Sequence, residues 1–258
     1  MSTPVRVGLI VPSSNVTMET EIPAMLRARE AVAPERFTFH SARMRMQQVT
    51  PEQLKKMDAD SERAARELAD ARVSVMGYAC LVAIMSQGHG YHRTSEETLS
   101  RVARDETGEA LPVVSSAGAL VEALEHLGAR KVAVLTPYVK SLTATVCGYI
   151  DSEGIEVVDS ISREEPDNLK VGQLDQDELV RLAGQVDTSE ADALVISACV
   201  QMPSLQALAH VQQTSPIPVV SAASATVWKM LRELGLDPVV PEAGALLGQS
   251  LAGPRQHA

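Results

Sequence analysis

The sequence predicts an α/β protein of two similar lobes related by a pseudo-twofold axis, each a mostly parallel sheet flanked by helices. Short apolar runs alternate with segments of helical periodicity along the 258 residues, which is typical of βαβ units. Two stretches also match each other, because residues 112–128 align with residues 218–235 with one extra residue in the second copy. A two-copy match indicates a duplicated lobe rather than a solenoid of stacked repeats.

The first half begins with an apolar run at residues 5–11, which predicts a buried strand. A loop follows at residues 12–15, and residues 16–29 predict a helix that Pro23 could interrupt. The next helix is predicted to begin near Thr50, since Thr50 and Gln53 have the spacing of a capping box and Pro51 suits a first helical position. That helix leads into a strand that ends at Cys80.

The second half repeats this order. Residues 132–137 resemble residues 7–12, and a helix that opens at residues 175–178 leads into a strand that ends at Cys199. If the final helix crosses back to the first sheet, residues 1–115 with 222–258 form one lobe and residues 116–221 form the other. We expect an active site in the cleft between these lobes.

Composition narrows the possible functions. A formal net charge of −10 and an aromatic content of 3% argue against a nucleic-acid partner, which calls for a basic surface and stacking platforms. The longest apolar stretch, residues 73–85, is too short to span a membrane, and the N-terminus lacks the pattern of a signal peptide. Three widely spaced cysteines fit reduced thiols, so we expect a cytoplasmic protein without a metal site.

Cys80 and Cys199 hold equivalent places in the two halves. Because ligands bind at the carboxyl ends of parallel strands, we expect the two thiols to face one small molecule across the cleft. Main-chain N–H groups at a following helix would favour the thiolate, which can act as nucleophile or base while the other thiol acts as acid. The residues alone leave open a racemase, an enzyme that adds sulfur to an activated double bond, and two ordinary core cysteines.

Four stretches occur in a fixed order along the chain: residues 8–19 with the loop Pro-Ser-Ser-Asn, residues 77–83 with Tyr-Ala-Cys-Leu-Val-Ala, Leu-Thr-Pro-Tyr at 135–138 and Ser-Ala-Cys-Val at 197–200. Together they resemble the maleate cis-trans isomerases, a branch of the aspartate/glutamate racemase superfamily that also includes arylmalonate decarboxylase. Amino-acid racemases of the superfamily usually have polar residues after each cysteine. Here Val82 lies two residues after Cys80, and Val200 directly follows Cys199. Apolar neighbours of the cysteines suit an unsubstituted diacid better than an amino acid.

The resemblance implies a mechanism and a set of site residues. Cys80 would add to the double bond of maleate, and rotation followed by elimination would give fumarate without a cofactor. Cys199 would donate and recover the proton. The residues implied as ligands of the small dicarboxylate are Asn15, Val82, Tyr138, Asn168 and Val200. Homodimers or higher homo-oligomers are also expected from the resemblance.

Other roles for these residues remain open from sequence alone. Asn15 could cap the following helix, Asn168 could belong to a turn, and Tyr138 could only pack its ring. His92 is expected in a polar loop or lid contact rather than in acid/base chemistry. A two-cysteine racemase of an amino acid or hydantoin is the alternative enzyme. A binding protein for a small ligand is the alternative without catalysis.

Overall fold

The computed structural model describes residues 3–248, and within them eight strands form two four-stranded sheets. The first sheet has the order β2-β1-β3-β4 and the second has the order β6-β5-β7-β8, and all pairings are parallel. The strands are β1 (Val5–Pro12), β2 (Phe37–Met44), β3 (Val75–Tyr78), β4 (Val113–Ser115), β5 (Lys131–Thr136), β6 (Glu156–Ser162), β7 (Ala193–Ser197) and β8 (Val219–Ser221). The identical order in both sheets confirms the predicted duplicated α/β fold.

Helices cover both sheets. They are α1 (Met18–Arg29), α2 (Pro51–Asp70), α3 (Leu81–Met85), α4 (Tyr91–Thr107), α5 (Ser116–His126), α6 (Lys140–Ser152), α7 (Asn168–Val171), α8 (Gln176–Ala183), α9 (Leu205–Thr214) and α10 (Ala222–Glu233). A short 3₁₀ helix spans Ala245–Leu247. No helix within residues 3–248 is long and apolar enough to cross a membrane.

Side-chain caps explain the starts of five of the ten α-helices within residues 3–248. Thr50 caps α2 by accepting a hydrogen bond from the main-chain N–H of Gln53, as the spacing predicts. The reciprocal half of the capping box is absent, because the Gln53 side chain accepts from the N–H groups of Gln47 and Gln48. Helix α1 continues through Pro23, so the predicted interruption is wrong.

The central strands of both sheets are buried and apolar, which places the core on both faces of each sheet. Every residue of β3 and β7 is buried, and the final six residues of β1 are buried as well. Strands covered on both sides read as continuous apolar runs rather than alternating ones. For this reason the sequence shows the strands before Cys80 and Cys199 clearly.

Helix α10 crosses back to the first sheet. It packs against α1, β3 and β4, and it also packs along α5, the equivalent helix of the first half. The Met230 side chain lies so close to Gly77 that a Cβ at that glycine would be 2.0 Å from Met230 Cε. These contacts favour the division into residues 1–115 with 222–258 and residues 116–221, which stays a prediction; residues 249–258 lie outside the described residues.

Candidate active site

The two cysteines occupy equivalent positions between a central strand and the segment that follows it. Cys80 lies two residues after β3 and immediately before α3, and its carbonyl accepts from the N–H groups of Ala83 and Ile84. Cys199 lies two residues after β7, where its carbonyl accepts from the Ser197 hydroxyl at 2.9 Å. Cys80 is half-buried and Cys199 is buried. The fold therefore places one thiol at the carboxyl edge of each sheet.

Both thiols line one cavity between the sheets, as do the other residues predicted for the site. Its walls comprise Pro12, Asn15, Met46, Val49, Cys80, Leu81, Val82, Tyr138, Asn168, Cys199, Val200 and Gln201. The enclosed space is about 20 Å³, room for a water molecule but not for a four-carbon diacid.

A wider groove of about 830 Å³ lies elsewhere, beside α9 and the segment after α10. Its walls include His210 and Glu242 but neither cysteine. Converging reactive groups, rather than volume, identify the small cavity as the site. No group of three or more His, Cys, Asp or Glu side chains is arranged to hold a metal ion among residues 3–248.

Burial dominates the protonation of the two thiols. It raises the pKa of Cys80 to about 12, although the N–H of Ala83 opposes the shift, while Cys199 and Asp58 add to it. Burial also raises the pKa of Cys199, against hydrogen bonds from the Tyr138 hydroxyl and the N–H groups of Gln201 and Met202. The expectation that nearby N–H groups would favour thiolates is therefore outweighed by desolvation.

Tyr138 is a neutral donor in this site. It is 6% exposed, and burial is the largest cause that raises its pKa well above the ordinary value, with both cysteines adding to the rise. Its hydroxyl acts on Cys199 by opposing the rise in the pKa of that thiol. The ring is buried, as simple packing would require, but the hydroxyl faces the reactive sulfur and can donate to it or to a ligand.

Asn15 holds the main chain just before α1 and lines the cavity. Its Oδ1 accepts from the N–H groups of Thr17 and Met18, each at 2.9 Å, although the N-cap position of α1 is Thr17 and not Asn15. This leaves the Nδ2 group as the part of the side chain that can donate to a ligand. Asn168, the first residue of α7, is buried, and its Nδ2 donates to the Ser14 hydroxyl at 2.7 Å.

Several site residues were not singled out from the sequence. Met46 and Val49 line the cavity from the segment between β2 and α2, and Gln201 lines it next to Val200. Nothing local in the sequence distinguishes the two apolar residues from other core residues. Gln201 had one signal in the sequence, because it lies two residues after Cys199, one of the two candidate reactive thiols.

His92 does not line this cavity. It is 2% exposed, and its Nδ1 lies 2.6 Å from the Tyr149 hydroxyl of the second lobe. Burial, followed by the charge of Arg93, lowers the pKa of His92. The side chain is therefore a neutral contact between α4 and α6.

Comparisons with known proteins agree with this arrangement. The family model described as arylmalonate decarboxylase matches residues 7–247. A maleate isomerase from Geobacillus stearothermophilus is 57% identical over 243 residues, which are 94% of this chain and 96% of that protein.

Two solved structures are also similar. One is the maleate isomerase Iso from Pseudomonas putida S16, solved with maleate as a variant in which alanine replaces one cysteine. It is 57% identical to this chain, with a TM-score of 0.94, and the match covers 96% of this chain and 99% of that one. The other is the maleate cis-trans isomerase of Nocardia farcinica, a variant in which serine replaces one cysteine, with a covalently bound succinylcysteine intermediate. It is 46% identical to this chain, with a TM-score of 0.91, and the match covers 96% of this chain and 99% of that one. This chain therefore belongs to the arylmalonate decarboxylase family, in its maleate isomerase branch.

Proposed function

We propose that this chain catalyses the cofactor-independent cis-trans isomerisation of maleate to fumarate, with Cys80 as nucleophile and Cys199 as proton donor and acceptor. The observation that carries the proposal is the pair of thiols from equivalent strand ends, which line one cavity together with uncharged hydrogen-bond donors. The succinylcysteine intermediate in the Nocardia farcinica relative supports sulfur addition as the chemical step.

The cycle begins with Cys80 as thiolate and Cys199 as thiol. The Cys80 sulfur uses an electron pair to bond one olefinic carbon, the π bond breaks, and its electrons pass to the neighbouring carbon and its carboxylate. That carbon takes the proton of Cys199, so a succinyl thioether and a Cys199 thiolate result. The carbon–carbon bond that was the double bond is now single, and the intermediate rotates about it. The Cys199 thiolate then removes the proton that it gave, the double bond reforms as trans, and the carbon–sulfur bond breaks so that Cys80 leaves as thiolate.

Charge is the main obstacle, because the addition drives electrons into a substrate that already carries two carboxylates. Asn15, Tyr138 and Asn168 offer amide and phenol groups as donors to these carboxylates, and main-chain N–H groups after the cysteines add to them. No lysine or arginine is among the described residues that line the cavity. Neutral donors stabilise the added charge without holding the dianionic product as tightly as a full positive charge would.

Apolar walls suit a site in which the intermediate must not exchange with solvent. Met46, Val49, Val82 and Val200 surround the cysteines on several sides. Exclusion of water strengthens each hydrogen bond to the substrate and limits proton exchange of the intermediate. An amino group would have no carboxylate to pair with among the described cavity residues, which favours an unsubstituted diacid over an amino acid.

Proton NMR of the purified protein with maleate in D₂O, without added cofactor, tests the proposal. We expect the olefinic signal of maleate to be replaced by that of fumarate, with little deuterium in the product because Cys199 recovers the proton it gave. No change with maleate, but exchange of the α-proton of aspartate, glutamate or a hydantoin, would instead identify a racemase. Maleate binding without conversion would identify a binding protein.

The setting of the enzyme is proposed along with its activity. We infer that it works in the cytoplasm, where the three free thiols stay reduced, and that it forms a homodimer or a higher homo-oligomer. Sedimentation equilibrium of the purified protein tests the second point, and a species of monomer mass at all concentrations would contradict it.

A further inference from the structure

The Gln201 carboxamide lies where the loops of the two lobes meet. The residue is 3% exposed and follows Cys199 and Val200 on the second lobe. Its side chain reaches across to the loop after β1 on the first lobe, 185 residues away in the chain. It also contacts the start of α7.

Every polar atom of this side chain has a partner. Nε2 donates to the carbonyl of Ser14 at 3.0 Å and to the carbonyl of Asn168 at 2.7 Å, while Oε1 accepts from the N–H of Val16 at 2.8 Å. The main-chain carbonyl of Gln201 accepts from the Thr17 hydroxyl at 2.7 Å. Buried amide groups that are fully paired fix one geometry, because each lost bond leaves a buried carbonyl or N–H unsatisfied.

These partners surround the two asparagines of the proposed site. Ser14 and Val16 flank Asn15 on both sides, and the third partner is the carbonyl of Asn168 itself. A further bond runs from Asn168 Nδ2 to the Ser14 hydroxyl. The carboxamide of Gln201 thus connects the main chain at both asparagines, which belong to different lobes.

The fold makes room for this connection at Gly172, one residue after α7. A Cβ at this position would lie 2.8 Å from Gln201 Nε2 and 2.7 Å from a methyl group of Val16. Contacts below 3.0 Å do not occur for real side chains, so a larger residue would push the carboxamide away from its partners. The space for the Gln201 side chain is therefore built into the backbone.

We propose that Gln201 is a positioning residue that sets the separation of Asn15 and Asn168, and through it the affinity of the site for a ligand with two carboxylates in the cis arrangement. The proposal rests on the proposed function, in which these asparagines bind the substrate carboxylates. Gln201 does not itself donate to the substrate, because both of its side-chain N–H groups are engaged by main-chain carbonyls.

The variant Gln201→Met tests this, since methionine has a similar size and makes none of the three side-chain hydrogen bonds. We expect kcat/KM for maleate to fall by about 100-fold, the loss typical of donors misplaced by about 1 Å. The maleate concentration that half-protects Cys80 from iodoacetamide, read from the Cys80 peptide by mass spectrometry, should rise by about tenfold or more. Without maleate, the iodoacetamide rate should stay within about twofold of wild type, because the thiol itself is untouched.

Gln206→Met, the same change at an exposed position of α9, serves as the matched control and should behave as wild type. An unchanged half-protecting concentration in Gln201→Met would overturn the proposal. A loss of activity would also overturn it if the iodoacetamide rate without maleate rises and the thermal midpoint of unfolding falls along with it. That pattern would indicate a general loosening of the protein structure. If Gln201→Met does not fold, Gly172→Ala decides, because the added Cβ would lie 2.8 Å from Gln201 Nε2 and displace the carboxamide from its partners; wild-type protection by maleate in that variant would overturn the proposal.

Failure of this inference can be told apart from failure of the proposed function. A wild-type protein that neither isomerises maleate nor is protected by it would refute the proposed function. A wild-type protein that does both, beside a Gln201→Met variant with unchanged protection, would refute only the role of Gln201.

Discussion

A buried thiol is a poor nucleophile until it loses its proton, and the surroundings of Cys80 make that loss difficult. Burial raises its pKa to about 12, and the nearby Cys199 and Asp58 act in the same direction. The five-residue helix α3 supplies only one opposing N–H, from Ala83. These surroundings favour the neutral thiol of Cys80 near neutral pH.

This protonation has a direct consequence for reactivity. A thiol with a raised pKa is neutral below that value and anionic above it, so the alkylation rate of Cys80 by iodoacetamide should rise about tenfold for each pH unit from 7 to 10. Alkylation in the absence of maleate, followed by mass spectrometry of the Cys80 peptide, measures it. A rate that levels off below pH 8 would show that something in the site stabilises the thiolate more strongly than the contacts described.

Replacement of the sulfur tests its role as nucleophile. Cys80→Ser should abolish turnover, a loss of about 10⁴-fold or more, because a serine hydroxyl has a far higher pKa than a thiol and does not add to the double bond. The fold should remain, since serine is similar in size. Cys147→Ser is the matched control: Cys147 lies in α6 outside the cavity, and this variant should keep normal activity. Normal activity of Cys80→Ser would refute the assignment.

Much of this site could be predicted from the sequence, but from two different kinds of evidence. The position of Cys80 and Cys199 followed from apolar strands and the internal repeat, whereas Asn15, Tyr138 and Asn168 followed only from the resemblance to a family. All of them line the cavity, and their roles stay predictions. Gln201 was not predicted because its partners lie up to 187 residues away, and no local pattern encodes a bond across such a distance.

At the scale of elements, a buried carboxylate joins two helices from different lobes. Glu21 of α1 is 7% exposed and accepts from the N–H groups of Ser204 and Leu205, at 2.6 and 2.7 Å, and from the Ser204 hydroxyl at 3.1 Å. It supplies the side-chain cap of α9 that Ser204 does not. Burial nevertheless raises the pKa of Glu21.

Truncation of this carboxylate should therefore weaken the fold. In Glu21→Ala, the N–H groups at the start of α9 lose their buried acceptor, so the free energy of unfolding should fall by about 2 kcal/mol. Urea unfolding measures it. Glu62→Ala on α2 is the control: it removes an exposed ion pair with Arg66, and the change should stay below about 1 kcal/mol. Equal effects of the two substitutions would contradict a specific role for Glu21.

A helix or strand could be predicted where a single local sequence pattern determined it. Thr50 caps α2 as expected, but the side chain of Gln53 turns to the preceding loop instead, since N–H groups there offer it two partners. The strand Phe37–Met44 was not predicted. Its residues are a mixture of buried, partly buried and exposed positions without a continuous apolar run, which fits a strand at the edge of the sheet.

On the scale of the whole molecule, contacts between α4 and α6 join the two lobes. His92 meets the Tyr149 hydroxyl, and Arg93 pairs with Glu153 at 2.6 Å. The ion pair is exposed on the arginine side and contributes little by itself. The buried histidine is the stronger contact, and it must stay neutral.

The pH dependence of stability should reveal this histidine. Burial and Arg93 lower the pKa of His92, while Glu153 and Glu122 oppose the shift. A lowered pKa means that its contribution is complete above the unfolded value of about 6.5 and is lost as the pH falls through the folded value. The difference in unfolding free energy between wild type and His92→Gln should therefore shrink from pH 8 to pH 5. A difference for His92→Gln that stays constant from pH 8 to pH 5 would contradict this role of the histidine.

The central feature of the proposed mechanism is which of the two sulfur atoms forms the bond to the substrate. The most direct measurement is to incubate the Cys199→Ser variant with maleate, digest it, and locate any succinyl group by mass spectrometry of the cysteine peptides. We expect the group on the Cys80 peptide, because the serine hydroxyl can supply the proton in place of the thiol but its alkoxide is too basic to persist and complete the elimination, and we expect none on the Cys147 peptide. An unmodified Cys80 in this variant, together with a succinyl group on Cys199 in Cys80→Ser, would contradict it and would exchange the roles of the two thiols.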